Sequence, residues 1–258
     1  MRNYVDTHCH ILPGIDDGPA TTEQALALAE ALVDAGFSQA IATPHFADNL
    51  SAEYLALIRV QYGVLTKALR EADIPLLIHL GAEILLSPEV LRLAKKEPLP
   101  TLSGTPYILI ELPFYQTISS YTFDAIFSLQ AMGYRPILAH PERVGAIKGN
   151  FEILRQLVKS SIRLQVNMGS LTGYFGQKAK HTAEKIITNG LCHILATDSH
   201  DAAMTGLIKP VLRDKSIPIQ TLLQQNPQNL LAGKPLETIT PEETPTYKER
   251  IRRFFAAS

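Results

Sequence analysis

The sequence predicts an α/β protein in which a single domain forms a barrel of parallel strands surrounded by helices. The chain has 258 residues, of which 46% are hydrophobic and 19% charged, and single-domain α/β barrels commonly have about 250 residues. Seven short apolar runs alternate with longer amphipathic segments, which is typical of parallel strands joined by helical crossovers. A small doubly wound sheet is the structural alternative, but this number of strand and helix units fits a barrel better.

The predicted strands are short and rich in Ile, Leu and Val. They cover residues 3–7, 39–43, 76–81, 107–110, 136–139, 163–166 and 193–197. The predicted helices between them cover residues 22–35, 52–71, 121–132, 151–159 and 178–189. The first helix has Thr21 or Thr22 as its N-cap and Gly36 just after its end, which are common boundary residues of helices.

The C-terminal part of the chain differs in composition. Residues 226–231 predict a turn followed by a short helix, and a Pro- and Thr-rich stretch at 235–245 leads to a basic, apolar segment at 247–257. We therefore divide the chain into a barrel domain at 1–234 and an extension at 235–258 that carries a basic amphipathic helix. This helix either packs on the barrel or binds a partner or a surface.

Charge, cysteine content and hydropathy argue against several classes of protein. The formal net charge of −1 does not favour binding to nucleic acid. The two cysteines, Cys9 and Cys192, suggest no disulfide framework. The sequence shows no signal segment and no apolar stretch long enough to span a membrane. We therefore expect a cytoplasmic protein without membrane insertion.

Most of the predicted strands end in a side chain that can bind a metal ion. In chain order these side chains are His8 and His10, His45, Glu83, Glu111, His140, Asn167, and Asp198 with His200. Because the carboxyl ends of parallel strands meet at one face of a barrel, we expect these side chains to form one cluster. Imidazole and carboxylate ligands without thiolate favour Zn, Mn, Fe or similar ions and disfavour a calcium site.

Each part of this pattern is weak when taken alone. His8 and His10 share one face of a strand, and so do Asp198 and His200, but such pairs are common. Asp17 belongs to an acidic turn, which has an ordinary structural explanation. The pattern gains its strength because so many independent residues of the right type occur at the same end of one sheet. Two or three cations held there would lower the pKa of a bridging water and bind the oxygens of a phosphoryl group.

The sequence contains none of the motifs that we sought for other catalytic chemistries. A cysteine phosphatase needs an arginine at a fixed position after its cysteine, and this chain has Ile15 and Asp198 at those positions. The sequence contains no GxSxG elbow, Walker loop or GxGxxG fingerprint. We assign His79 to the core or to the support of a ligand, and we assign purely structural roles to His181 and His193.

On the basis of these residues, the sequence resembles the bacterial PHP (polymerase and histidinol phosphatase) family of manganese-dependent protein-tyrosine phosphatases. Members of this family accompany capsule and exopolysaccharide synthesis. The resemblance extends from residue 4 to about residue 232. Its motifs lie at residues 6–18 (DTHCHILPGIDDG), 43–45 (TPH), 81–84 (GAEI), 110–112 (IEL), 139–143 (AHPER), 165–167 (QVN), 173–176 (GYFG), 198–200 (DSH) and 226–227 (NP). The first and the fifth of these motifs are specific to this branch of the superfamily.

The resemblance implies that residues 1–234 form a PHP domain, a distorted (β/α)7 barrel of the TIM type with two to three divalent metal ions. Mn is the expected metal, with Fe, Zn and Co as alternatives. The implied ligands are His8, His10, Glu83 and Asp198 for the first ion, Glu83, Glu111 and His140 for the second, and Asp17, His45 and His200 for the third. The implied catalytic residues are Arg143, His45 and His200, with Arg143 orienting the phosphate. The alternative for Arg143 is a surface ion pair with Glu142 or another acid.

One position departs from the family pattern. Family members usually carry an arginine that meets the phosphate five positions after the histidine of the DSH motif, and this chain has Thr205 there. Lys209 is the nearest cation downstream, and we predict that it binds substrate in place of the arginine. Lysine is a point charge rather than a planar fork, so the exchange would weaken phosphate binding or alter substrate preference.

The function implied by the resemblance is that of a protein-tyrosine phosphatase. Its expected partner is a phosphotyrosine-bearing protein, in particular a bacterial tyrosine autokinase that regulates capsule or exopolysaccharide synthesis. One alternative is a small-molecule phosphoesterase similar to histidinol-phosphate phosphatases, which would need a more closed pocket. The other is a non-catalytic module that binds phosphotyrosine or a kinase, and a complete set of metal ligands argues against it.

Overall fold

The computed structural model describes residues 3–47, 51–114, 118, 120–148 and 150–239. Within these residues the chain forms nine strands and ten α-helices. The strands are β1 Tyr4–Cys9, β2 Phe37–Ala42, β3 His45–Phe46, β4 Leu77–Leu80, β5 Glu83–Leu85, β6 Tyr107–Glu111, β7 Arg135–Ala139, β8 Arg163–Asn167 and β9 Ile194–Ala196. The helices are α1 Thr22–Ala35, α2 Ala52–Glu71, α3 Pro88–Ala94, α4 Ser120–Ala131, α5 Phe151–Lys159, α6 Met168–Thr172, α7 Gln177–Thr188, α8 Ala202–Leu207, α9 Lys209–Arg213 and α10 Asn226–Leu231.

The nine strands occupy seven positions of one barrel. All strand pairs are parallel, in the orders β1-β2-β4 and β3-β5-β6-β7-β8-β9. β2 continues into β3 after a break of two residues, and β4 continues into β5 in the same way. The strands predicted at 39–43 and 76–81 correspond to β2 and β4, whereas β3 and β5 lie beyond their predicted ends. Backbone hydrogen bonds from Gly81 to Ala42 (2.8 Å) and from Glu83 to Pro44 (3.0 Å) carry the pairing across this break.

The barrel closes between β1 and the segment that follows β9. His10 N–H donates to the Ser199 carbonyl (3.0 Å), and Asp198 N–H donates to the His8 carbonyl (2.9 Å). The buried carboxylate of Asp6 supports the same closure by accepting hydrogen bonds from the backbone and hydroxyl of Thr197. The prediction of a distorted barrel is therefore confirmed, and the doubly wound alternative is wrong because the first and last strands meet.

The two breaks have local causes. Pro44 has no N–H group, so a strand ladder cannot run through it without a gap. At Gly81, a Cβ atom would lie 2.7 Å from Leu102 Cδ2 and 3.0 Å from Ile41 Cγ2. The strand can therefore bend here only because residue 81 has no side chain.

Helix boundaries follow their capping residues. The Thr21 side chain accepts a hydrogen bond from Gln24 N–H at the start of α1, and Gly36 ends the helix with a φ of 99°. The predicted bounds of α1, α2 and α5 match the structure, and those predicted at 121–132 and 178–189 differ from α4 and α7 by one residue at each end. The short helices α3, α6, α8 and α9 were not predicted.

The core has two parts. A large cluster joins the outer faces of the strands to the helices. A smaller cluster fills the barrel below the ligand-bearing strand ends and consists of Ile41, Leu102, Tyr107, Leu109, Ile137, Ala139, Ile194, Leu230 and Leu236. The polar side chains at the carboxyl ends of the strands therefore lie directly above a buried apolar cluster.

The described chain continues along the barrel up to residue 239. Leu236 and Ile239 are buried, and Glu237 N–H donates to the Asn226 side chain at 2.7 Å. The predicted domain boundary at residue 234 remains a prediction, and the basic helix predicted at 247–257 lies outside the described residues. No helix among the described residues is long and apolar enough to cross a membrane.

Candidate metal centre

The candidate site lies where the strands end in histidines and carboxylates. His8 is on β1 and His10 follows it, and their Nε2 atoms are 3.1 Å apart. Cys9 between them is fully buried, and its Sγ faces the Ser199 carbonyl. The alternation of the strand therefore directs both imidazoles to the same place and turns the thiol away from it.

Nine side chains converge into four overlapping groups whose ligand atoms lie within 4.8 Å of one another. The groups are His8, His10 and Asp198; His8, Glu83 and His140; His45, Glu83 and Glu111; and His10, Asp17, His45 and His200. These are the nine residues that we predicted as metal ligands, and the structure brings all of them together. Their role as ligands is a proposal, which we take up below.

Glu83 lies at the centre of these groups. Its Oε2 is 3.4 Å from His8 Nε2, 3.5 Å from His10 Nε2 and 3.0 Å from His45 Nδ1. Its Oε1 is 2.8 Å from His140 Nε2. A carboxylate with both oxygens directed at different imidazoles is placed to bridge two cations.

The grouping differs in detail from the one implied by the family resemblance. His10 also belongs to the group around Asp17, and Glu111 groups with His45 and Glu83. Glu111 Oε1 is 3.7 Å from His140 Nε2, farther than the central Glu83 oxygen. The division of the ligands among individual ions therefore depends on side-chain positions that the sequence does not specify.

Hydrogen bonds fix which nitrogen of each imidazole faces the cluster. His8 Nδ1 donates to Gln165 Oε1 at 2.8 Å, and His10 Nδ1 donates to Asp16 Oδ2 at 2.8 Å. His200 Nδ1 donates to the Asp198 carbonyl at 3.0 Å. In each case Nε2 is left for the cluster, which is the arrangement of histidines that bind metals. The donor set thus fits divalent cations that accept mixed nitrogen and oxygen ligands.

The electrostatics of the cluster favour positive charge. Burial lowers the pKa of His8, but the charges of Glu83 and Asp198 outweigh burial and raise this pKa to about 9. The pKa of His10 is likewise well above its usual value, because its carboxylate partners outweigh burial. Burial opposes ionisation of Glu83, yet the surrounding histidines hold its pKa well below the ordinary range. The same field would attract cations to this position.

Two of the candidate ligands have strained backbone. His140 has φ 30° and Asp198 has φ 52°, a left-handed conformation that non-glycine residues rarely adopt. Such conformations cost about 1–3 kcal/mol each and concentrate at functional sites. At both residues the unusual turn directs the side chain from a strand end into the cluster.

The prediction gave no role to the residues that hold the ligands in place. Asp16 Oδ1 accepts the Gly18 N–H at 3.1 Å, and Asp16 Oδ2 accepts the His45 N–H at 3.2 Å. A Cβ at Gly18 would lie 2.2 Å from the His10 carbonyl oxygen, so the loop carrying Asp17 can approach β1 only with glycine here. The signal for this supporting role in the sequence is the Asp-Asp-Gly turn at residues 16–18, which taken alone looks like an ordinary acidic turn.

A second support comes from β8. Gln165 Nε2 donates to Asn167 Oδ1 at 2.7 Å, and Asn167 Nδ2 donates to Asp198 Oδ2 at 2.6 Å. Asn167 was predicted as a weak ligand at a strand end, and its amide here contacts Gln165 and Asp198. Glu142 is buried and accepts the Asn167 N–H at 2.9 Å. Gln165 and Asn167 therefore link His8 to Asp198 through side-chain hydrogen bonds.

Arg143 borders the cluster as predicted. Its Nη1 donates to Asp198 Oδ2 at 2.8 Å, and its side chain is 23% exposed. Of the alternative of an ion pair with Glu142 or another acid, only the part naming Glu142 is wrong, because the Glu142 carboxylate points inward to Asn167 and Ser170. The acid that pairs with Arg143 is Asp198. Arg143 is thus anchored on a candidate ligand while part of its guanidinium stays accessible.

Lys209 and Thr205 do not lie as the prediction required. Thr205 is buried, and its hydroxyl donates to Ser199 Oγ at 3.3 Å. Lys209 lines a surface hollow with Asp34 at the C-terminal end of α1, whereas Asp17 and His200 line a cavity with Gln24 near the N-terminal end of this helix. A helix of 14 residues is about 20 Å long. The substrate-binding role predicted for Lys209 therefore finds no support in its position.

Two of the three remaining histidines, His79 and His193, have local partners. His79 Nε2 donates to Gln39 Oε1 at 2.9 Å, and its Nδ1 accepts from Ser103 Oγ at 3.2 Å. His193 is buried, and its Nδ1 accepts the Leu164 N–H at 3.2 Å. Neither belongs to any ligand group.

Comparison with known proteins agrees with this site. The family described as capsular polysaccharide synthesis, CpsB/CapC, matches residues 4–231. The tyrosine-protein phosphatase YwqE of Bacillus subtilis is 37% identical over 76% of this chain and 77% of that protein. The tyrosine-protein phosphatase CpsB of Streptococcus pneumoniae is 27% identical over 76% of this chain and 83% of that protein.

A solved structure extends the similarity to the fold. It comes from crystal structures of YwqE from Bacillus subtilis and CpsB from Streptococcus pneumoniae, which are called unique metal-dependent tyrosine phosphatases. It superposes with a TM-score of 0.82 at 33% identity, covering 94% of this chain and 99% of that one. The extent of the match to the family, together with the similarity to YwqE, shows that this chain belongs to the CpsB/CapC family of capsular polysaccharide synthesis.

Proposed function

We propose that this chain is a metal-dependent protein-tyrosine phosphatase. The observation that supports this most strongly is the cluster of five imidazoles and four carboxylates at the carboxyl ends of the barrel strands. Its relatives YwqE and CpsB are named tyrosine-protein phosphatases, and the description of their crystal structures calls them metal-dependent tyrosine phosphatases. The alternative thiol chemistry is disfavoured, because burial raises the pKa of Cys9 well above its usual value and keeps the thiol from solvent.

We assign the nine clustered residues as ligands of two to three divalent cations, with Mn as the expected metal. The absence of thiolate and the number of carboxylates favour Mn over softer ions, and Fe, Zn and Co are the alternatives to be tested. When bound, such cations supply an activated water as nucleophile and compensate the charge of the phosphoryl oxygens.

The chain's own residues bind and orient the phosphate. Arg143 keeps one donor on Asp198 and directs the accessible part of its guanidinium at the phosphate oxygens, which its planar donors suit. His45 and His200 are the imidazoles of the cluster with exposed side chains, at 37% and 21%. We place them next to the reacting phosphate. A phenol leaving group has a pKa of about 10, so it needs little help from a proton donor.

The open side of the cluster suits a substrate carried by a protein. Asp17 is 67% exposed, and a cavity of about 390 Å³ opens beside it and His200. Asp17 and His200 thus stand at the surface, where a phosphotyrosine on a flexible segment can reach them. Given the family's description as capsular polysaccharide synthesis, we propose a tyrosine kinase of capsule or exopolysaccharide synthesis as the partner.

The test is hydrolysis of a phosphotyrosyl peptide by purified protein before and after chelation. We expect chelation to abolish turnover and Mn to restore it, and we expect Glu83→Ala to lose both metal and activity. Histidinol phosphate and a phosphoseryl peptide serve as competing substrates. Full activity in metal-free protein would contradict the metal-dependent function, and faster turnover of histidinol phosphate would favour the small-molecule phosphoesterase.

A further inference from the structure

The guanidinium of Arg143 contacts two aromatic rings. The centre of its guanidinium lies 4.6 Å from the centroid of the Phe114 ring and 4.2 Å from that of Phe175. Both distances are within the range of a cation–π interaction. One edge of the guanidinium donates to Asp198. We call Phe114 and Phe175 together the aromatic clamp.

The clamp is assembled from three different loops. Phe114 follows β6, Arg143 lies in the turn after β7, and Phe175 follows α6, the helix that comes directly after β8. The three strands are neighbours in the sheet, so their loops meet at the carboxyl end of the barrel. No two of these residues are close in sequence, and the parallel pairing of β6, β7 and β8 brings them together.

Two glycines allow the rings to come this close. Gly145 N–H donates to the Phe114 carbonyl at 2.8 Å, and a Cβ at Gly145 would lie 3.0 Å from the same oxygen. A Cβ at Gly169 would lie 3.1 Å from Cε2 of Phe175. The Phe175 ring is therefore packed closely on Gly169, and the backbone of Phe114 is held against the segment that carries Arg143.

We propose that Phe114 and Phe175 are positioning residues that hold Arg143 in its phosphate-binding orientation before substrate arrives. This inference rests on the proposed function, because it assumes that Arg143 binds the phosphate. Arginine has many rotamers, and a guanidinium that is ordered in advance loses less freedom when it binds. The two rings also take space beside the guanidinium that water would otherwise occupy, and partial exclusion of water strengthens its attraction for an anion.

The anchor on Asp198 alone would not give the same orientation. A single N–H···O bond permits the guanidinium to rotate about that contact, and the carboxylate would draw it towards the cations. Contact with two rings in addition to Asp198 restricts how the guanidinium can rotate, and so restricts the directions of its remaining N–H groups. The clamp thus sets a direction that the ion pair leaves free.

The test is a set of leucine substitutions that remove the ring face but keep an apolar side chain. For Phe114→Leu with Phe175→Leu, we expect KM for a phosphotyrosyl peptide and Kd for inorganic phosphate to rise about tenfold, as expected for losing two cation–π contacts. We expect kcat, metal content and melting temperature to stay close to those of the unmodified protein. Phe114→Tyr with Phe175→Tyr keeps both ring faces and should restore KM.

A second arm separates positioning from general packing. In an Arg143→Ala background the two leucine substitutions should change KM no further, because there is no guanidinium left to orient. Phe151→Leu is the matched control. The ring of Phe151 also lies near a cation, because Lys185 Nζ is 5.6 Å from its centroid, but Phe151 is on α5 and outside the cluster. This control should leave KM and phosphate affinity unchanged.

Three results would overturn the clamp. These are an unchanged KM and phosphate affinity in the double leucine variant, the same loss in the Arg143→Ala background, and a loss that is explained by reduced metal content. Failure of the proposed function is distinguishable, because it would appear as absence of metal-dependent turnover in the unmodified protein. Phosphate binding to the metal-loaded protein would still report on the clamp in that case.

Discussion

Replacing Gln165 with leucine tests whether hydrogen bonds behind the ligands set metal affinity. Gln165 is fully buried and accepts from His8 Nδ1 at 2.8 Å while it donates to Asn167 Oδ1 at 2.7 Å. Leucine fills a similar volume but removes both hydrogen bonds. His8 then keeps its position on β1 while its Nδ1 has no acceptor, and Asn167 can rotate away from Asp198.

The size of the effect follows from the burial of these groups. A buried donor left without its partner costs about 1–3 kcal/mol, which corresponds to about 5- to 150-fold in a binding constant. Loss of a residue that orients a metal-binding histidine typically lowers metal affinity about 10- to 100-fold. Because the imidazole of His8 belongs to two ligand groups, we expect Gln165→Leu to fall in this range.

The barrel provides a matched control at a second histidine. Gln39 Oε1 accepts from His79 Nε2 at 2.9 Å, a pair of the same chemistry outside the ligand groups. Mn affinity is measured by competition with a chelating dye in the unmodified protein, Gln165→Leu and Gln39→Leu. We expect weaker binding only in Gln165→Leu and recovery in Gln165→Glu, which restores an acceptor for His8. Equal affinities in all variants, or equal losses in both leucine variants, would refute the reasoning.

Two further predictions concern a buried histidine and a glycine. Burial, and to a smaller extent the charge of Arg163, lowers the pKa of His193 to about 3. As the pH falls below about 6.5, the unfolded chain therefore binds a proton at this histidine while the folded chain does not. The free energy of unfolding then decreases by about 1.4 kcal/mol for each unit by which the pH falls. The variant His193→Asn keeps an acceptor for the Leu164 N–H. Between pH 6.5 and 5, its free energy of unfolding, measured with urea on chelated protein, should decrease by about 2 kcal/mol less than that of the unmodified protein. Parallel pH profiles for the two proteins would contradict the assignment. Gly18→Ala should displace the loop of Asp17, because its Cβ would lie 2.2 Å from a backbone oxygen. Elemental analysis should show fewer ions per chain for this variant than for Gly63→Ala, whose Cβ meets nothing within 4 Å, and equal metal content in the two would show that the loop does not hold an ion.

The barrel and the cluster were predictable because both depend on local features of the sequence. Each apolar run is a strand by its own composition, and the side chain that ends it is adjacent in the chain. Parallel strands then bring these ends to one face without further information. Residues as distant as His8 and Asp198 could therefore be placed together from residue type alone.

The breaks in the second and third strands were not predictable in the same way. Pro44 and Gly81 are visible in the sequence, but the close approach of Leu102 to Gly81 depends on packing with another part of the chain. The consequence is functional, because His45 and Glu83 begin the short strands β3 and β5 after the breaks. Each break allows its strand to present a ligand at a new angle.

The supporting residues were missed for a different reason. Gln165 and Asn167 have the same i, i+2 spacing as His8 and His10, so the sequence did contain a signal that both face the barrel interior. We gave weight only to side chains that bind metals directly. The partners of Arg143 had no such signal, because Phe114 and Phe175 are loop aromatics whose meeting depends on three loop conformations.

Closure of the barrel and construction of the site depend on the same residues. The bonds that join β1 to the last strand position are made by the backbone of His8, His10 and Asp198, whose side chains form one ligand group. Asp198 is also in a left-handed conformation with φ 52°, which costs energy that its surroundings must offset. A cation that draws the three side chains together would hold the two barrel edges together as well. Metal binding should therefore contribute directly to the folding free energy of the barrel, which gives a physical reason for placing these three of the nine candidate ligands at the closure.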